Sequence, residues 1–194
     1  MKTYDLDILA AYFHSTVGVP PEKFARIRHL FQLEHYPKGE FLVRQEEHAQ
    51  KMWFLLEGYI RCYAEAKDKE ITHWVYWPHR LVTDIPSFNR QGPSHWHFQT
   101  ISDCAAFALT YEQYQEAQRI VPDWHVYENR ILVKFFMSLE HRIYTFISMN
   151  ATERYQYLHD AHPELFNQIP LIYLSSLLNM APETISRIRR KTIS

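Results

Sequence analysis

The segment LIYLSSLLNMAPETISRIRRK, residues 171–191, carries the most specific pattern in the chain. Two short helices crossing steeply over a tight turn make particular demands on sequence. The first helix needs a small residue where the second crosses it, and Ser175 stands there. Apolar residues must flank the crossing; Leu174, Leu178, Met180, Ile185 and Ile188 do so. The turn needs a residue that accepts positive φ, and Asn179 is the usual second choice after glycine. The second helix then opens with Pro182-Glu183, and proline suits a first helical turn. The spacing predicts a helix-turn-helix.

The rest of the second helix reads as its exposed surface: Glu183, Thr184, Ser186, Arg187, Arg189, Arg190 and Lys191. Residues 183–191 hold four basic side chains and one acidic one, inside a chain whose formal net charge is −1. A guanidinium at Arg187 can donate two hydrogen bonds to guanine O6 and N7, and Glu183 can accept from the cytosine amino group. The two are four residues apart and so share a helix face. Thr184, Ser186, Arg190 and Lys191 are suited to holding phosphates or positioning the helix, which orients it without reading sequence. An ordinary two-helix hairpin with a solvated basic face is the plain alternative. The agreement of small, turn and apolar positions with the Glu/Arg pair favours DNA binding.

Upstream, the texture is different. Leu6, Leu9, Ala10 and Phe13 make a short helical stripe, and Pro20-Pro21 opens a second helix with Phe24, Ile27, Leu30 and Phe31 on one face. From about 35 to 110 the segments are short, aromatic and β-branched, with turns at Pro37–Glu40, Glu57-Gly58 and 67–69. That pattern predicts a β-barrel, sandwich or roll. Residues 111–121 read as a helix, and 123–149 as a long one. The long helix carries Leu132, Phe136, Leu139, Ile143 and Phe146 at spacings of four and three. This is the seam of two helices side by side, either between two copies of the chain or against the chain's own roll. Asn150 to Glu153 reads as a capping box that starts a further helix.

The totals set outer limits. The chain has 194 residues, 46% apolar and 22% charged, enough to bury a core. Its near-neutral charge argues against coating nucleic acid through bulk charge, and leaves room for a local basic patch. Met1 to Ala10 lacks a basic lead followed by a long apolar stretch, and no apolar run nears the roughly 20 residues of a membrane helix. With two cysteines, Cys62 and Cys104, a cytoplasmic protein without membrane contact is expected.

A roll, a long helix and a helix-turn-helix ending in PETISR resemble the Crp/Fnr family of bacterial-type transcription regulators. At the N-terminal end the resemblance rests on PKGEFLVRQ (37–45) and FLLEGYIRCY (54–63), with Gly39 and Gly58 at the family's turn glycines. It implies an α+β chain in three parts: a cyclic-nucleotide-binding-like roll with N-terminal helices (1–122), a dimerisation helix (123–149) and a winged-helix-like DNA-binding domain (150–194). It also implies a homodimer on a two-fold duplex operator, with half-sites about one helical turn apart. The family's base-reading Glu and Arg match Glu183 and Arg187. Its third base-reading position is Pro182 here, so the half-site preference departs from that of the best-known members. The β-hairpin that often precedes the motif is shortened to HPELFNQIP (162–170). RNA polymerase and a small-molecule effector of unknown identity are further partners that the resemblance leaves open.

The effector cassette departs further. The family holds ribose with a Glu and phosphate with an Arg about ten residues later. The matching stretches are TDIPSF (83–88) and PSHWHF (93–98), with Asp84 in the Glu position and Ser94 or His95 in the Arg position. Without the guanidinium, a buried phosphate loses its bidentate contact. Cyclic nucleotide is therefore not expected to bind in the usual way, and no cofactor is expected. The cluster sensors of the family need about four cysteines; the histidine count leaves haem open. One enzyme reading competes: a cupin-like barrel with a metal on His95 and His97, which alternate and would share a strand face, supported by His73 and Asp103. Two ordinary histidines on a half-exposed strand are the simpler account.

Overall fold

The computed structural model describes residues 4–67 and 69–192. The first layer is helical. α1 (Leu6–Tyr12), capped by the Asp5 side chain, runs into one π-helical turn, Phe13–Val17, that ends at Gly18. α2 (Pro21–Ile27) has proline in its first turn, where a missing N–H costs nothing, and a single 3₁₀ turn follows.

The chain then alternates strand and turn: β1 (Gln32–Tyr36), β2 (Phe41–Val43), β3 (Lys51–Glu57), β4 (Ile60–Ala66), β5 (Lys69–Tyr76) and β6 (Leu81–Val82). A short helix, α3 (Ile85–Arg90), precedes β7 (His97–Thr100) and β8 (Cys104–Thr110). These strands form two four-stranded antiparallel sheets, ordered β1-β8-β3-β6 and β2-β7-β4-β5. The result is a jelly-roll sandwich. Gly58 joins β3 to β4 at φ 88°, and a Cβ there would strike the Asp103 carbonyl oxygen, so the turn requires glycine. On the face of the first sheet that meets the helices, Met52 pairs with Leu109 and Phe54 with Phe107.

Helices make up the rest. α4 (Tyr111–Ile120) starts in a capping box at Thr110, and α5 (Trp124–Ser148) follows. α5 is anchored by buried Trp124 and Tyr127 and by Arg130, which donates to the Val17 carbonyl. Its other side lies open: Phe136 is 66% exposed and Ile147 81%, with Val133, Met137, Ile143 and Tyr144 also exposed. α6 (Ala151–Ala161) begins in the Asn150/Glu153 capping box.

Where a shortened hairpin was expected, residues 162–170 instead form a turn and the short helix α7 (Leu165–Gln168). Pro163 stands just before the helix, and α7 buries Leu165 and Phe166 in the core of the C-terminal helices. The winged form drawn from the resemblance thus lacks its hairpin: among the described residues no strand follows β8. α8 (Leu171–Leu177) and α9 (Pro182–Thr192) close the chain.

Candidate nucleic-acid interface

The turn between α8 and α9 is a helix C-cap motif. The Met180 N–H donates to the Ser175 carbonyl and the Asn179 N–H to that of Ser176, at 3.0 and 3.1 Å. This double closure needs a left-handed residue at position 179, and Asn179 has φ 52°. Leu174, Leu178, Ile185 and Ile188 are buried, with Met180 packed at their margin. Ser175 is also buried, and its hydroxyl donates back to the Ile172 carbonyl at 2.9 Å. This small core continues through Tyr155, Phe166 and Ile169 to Val75 and Ile101 of the roll.

With its apolar side turned inward, α9 presents Glu183, Arg187 and Arg190 to solvent, with Thr184 and Ser186 half-buried. Among the described residues neither Glu183 nor Arg187 is held by a hydrogen bond or ion pair, so both are available to a ligand. Arg190 reaches back to the Ser186 carbonyl at 3.4 Å. The Lys191 side chain lies outside the described residues. Arg189 departs from the sequence reading. It is half-buried and donates to the Phe166 carbonyl at 3.1 Å, because its stem passes over the Phe166 ring rather than out to water.

The pair is not loosely tethered. The Ser176 hydroxyl accepts from the Thr72 N–H at 2.9 Å and donates to the Glu70 carbonyl at 3.2 Å, joining α8 to β5. Arg61, buried and ion-paired with Glu70, is sandwiched between Tyr63 and Tyr173 at 4.1 Å from each ring centre. Arg142 of α5 donates to the Leu177 carbonyl at 3.1 Å, and Arg154 of α6 to that of Leu178 at 3.2 Å. Both cations thus meet the negative end of α8. Burial pulls the Arg142 pKa down to about 10, which still leaves it charged at neutral pH. Nothing local in the sequence marks Arg61, Arg142, Arg154 or Ser176 for these roles, since each needs a partner far along the chain.

The residues proposed for an effector divide. Asp84 and Ser94 do meet, with Ser94 Oγ 2.6 Å from Asp84 Oδ2 and both buried. The other Asp84 oxygen accepts from the Ser87 N–H and so caps α3. His95 is exposed and precedes β7. The metal reading does not hold for the same reason. His97 is on β7 but His95 is not, so the alternation that would aim both imidazoles at one ion is missing. His97 packs between Phe41 and Tyr63, with Nδ1 accepting from the Gln45 N–H. His73 stacks on Trp96. Among the described residues no group of His, Cys, Asp and Glu is placed to hold a metal, and no helix is long and apolar enough to cross a membrane.

On α5, Leu132, Phe136, Leu139 and Ile143 are exposed. Phe146 is not in line with them: it is half-buried beneath the guanidinium groups of Arg142 and Arg154.

Residues 33–119 match the family model for the cyclic nucleotide-binding domain. No curated protein matches the chain. Among solved structures it is similar to the c-di-GMP responsive global regulator CLP of Xanthomonas campestris, at 17% identity over 89% of this chain and 91% of that one, with TM-score 0.68. It is also similar to the catabolite activator protein of Thermus thermophilus, at 21% identity over 93% and 85%, with TM-score 0.58. A putative cAMP-binding regulatory protein from Silicibacter pomeroyi is 17% identical over 94% and 86%, with TM-score 0.64. Residues 33–119 thus match a cyclic nucleotide-binding domain, and the chain shares its fold with these solved structures.

Proposed function

We propose that the protein is a transcription regulator of the Crp/Fnr type that binds double-stranded DNA as a homodimer through α9. The observation that carries this reading is the division of α9. Ile185 and Ile188 are buried, while Glu183 and Arg187, four residues apart, are exposed without partners among the described residues. Such a helix can enter the major groove with a base acceptor and a bidentate donor in front. The open apolar side of α5 supports the dimer, because a stripe of that length is rarely left to water. The parts in this reading are a roll over 1–122, a dimer helix over 123–149 and a DNA-binding unit over 150–194. The setting is the cytoplasm.

Asp84 spends both oxygens inside the chain, and no arginine stands at Ser94 or His95. This supports an effector other than cyclic AMP in the roll, acting by changing the spacing of the two α9 helices.

Selection of bound duplexes from a random pool tests the reading. A two-fold motif with half-sites one helical turn apart is the expected result; an unsymmetrical motif, or no enrichment, refutes it. Arg187→Ala should cost about 1–3 kcal/mol against the selected site and relax preference at one base pair of each half-site.

A further inference from the structure

A cleft lies between the first sheet, α3 and α5, on the helix-facing side of the sheet and outside the sandwich interior. It holds about 40 Å³ of cavity, within about 570 Å³ of space that runs out into open solvent. Met52 and Leu109 form the sheet wall, Phe88 stands on the α3 side, and Leu132 and Phe135 of α5 line the α5 side. Asp84 and Ser94 are not part of it. Thr83 and Ile85, which flank Asp84 in sequence, line the cleft, whereas the Asp84 charge is felt by Cys62 and Tyr76 inside the roll.

One polar atom in this lining is out of place. Trp124 lines the cleft and is 3% exposed. Among the described residues its Nε1–H is the buried side-chain donor left without a hydrogen-bond partner. The Tyr114 hydroxyl is close enough to feel Trp124 but makes no sound hydrogen bond with it; burial and the Glu128 carboxylate push the Tyr114 pKa up and keep the phenol protonated. Buried N–H groups are seldom left unpaired in proteins, and an apolar cleft lined by one points to an acceptor supplied from outside.

We propose that this cleft binds a small, neutral, mostly apolar molecule whose oxygen accepts the Trp124 Nε1–H and whose apolar body lies in the open part of the cleft. The lining fixes the apolar body, and the indole N–H fixes the acceptor. Tyr114 and Glu128 also line the cleft. The binding claim does not depend on the DNA-binding reading, and it is tested without DNA.

The probe is benzyl alcohol, with toluene as its counterpart lacking an acceptor. The full chain, labelled with nitrogen-15, has five tryptophans and so five indole N–H signals; Trp124→Phe identifies the one that belongs to Trp124. Benzyl alcohol should move that signal saturably, with toluene at least tenfold weaker. Met52→Phe, which fills the cleft from the sheet side, should abolish the shift, while the other indole signals report that the fold is kept. Leu109→Phe serves as a second filling variant should Met52→Phe disturb the sheet. A Trp124 signal that stays still, moves without saturating, moves equally with toluene, or moves equally in the filled variants overturns the proposal. So does exchange with solvent fast enough to show that water already partners the N–H.

Discussion

Asn179 holds its turn at φ 52°, where a side chain branched at Cβ is strained. Asn179→Gly should leave stability within about 0.5 kcal/mol, while Asn179→Val should cost about 1–2 kcal/mol or more, read from urea midpoints. The same residue shows what a single sequence discloses at this scale. A left-handed position, a small residue at a helix crossing and a proline in a first turn each have a local cause, so Asn179, Ser175 and Pro182 can be read from spacing. Arg189 cannot, because its partner is the Phe166 carbonyl, reached only when the helices are packed. His73 is equally silent in sequence. Burial, reinforced by the charge of Arg142, lowers its pKa below the ordinary 6.5. The unfolded chain therefore takes up a proton there before the folded one does. Stability should hold above about pH 6.5 and fall as the solution is acidified below it, with a shallower fall in His73→Gln. Equal slopes for the two proteins would remove His73 from that account.

α5 shows how far periodicity reaches at the scale of an element. The apolar repeat was plain in sequence, but not which residues face out. Leu132, Phe136, Leu139 and Ile143 are exposed, and Val133, Met137 and Ile147 widen the stripe, while Phe146 turns under two arginines. A heptad names a face only to within one neighbour, and the packing of α6 beside it decides the rest. Phe136→Arg, or Ile143→Arg, should convert the proposed dimer to a monomer in sedimentation while circular dichroism stays unchanged, since both side chains are exposed in the single chain. A dimer that survives both substitutions would place the contact elsewhere. The strands on either side of the Glu57-Gly58 turn, β3 and β4, were legible. The two-residue β6 and the helix α3 were not, because they are too short to show a period and exist by pairing and capping. α7 was hidden for a similar reason: four residues carry no periodicity, and two buried neighbours decide them.

Across the whole molecule, sequence disclosed the succession of roll, long helix and helix pair, but not how the last rests on the first. That arrangement is long-range. Ser176 meets Glu70 and Thr72 of β5, and Arg142 ties the long helix to the carbonyl end of α8. The long helix, the roll and the helix pair thus share one junction. Arg142→Ala should leave the proposed dimer intact but speed hydrogen exchange at the Thr72 amide, and shift the proposed DNA affinity more than Arg119→Ala, a substitution at an exposed cation. If exchange at Thr72 is unchanged, the helix pair is held by apolar contact alone.

Among the described residues β5 is the last strand of its sheet, with β4 on one side and no strand on the other. Its outward N–H and C=O groups at Thr72 and Glu70 are occupied by a single serine hydroxyl. An unpaired strand border of this kind is a template for joining another chain. Removing everything after Ser148 would strip that cover, and the severed roll should clump at concentrations where the full chain remains dispersed. On this view the C-terminal helices also act as a guard, shielding the roll from its own kind.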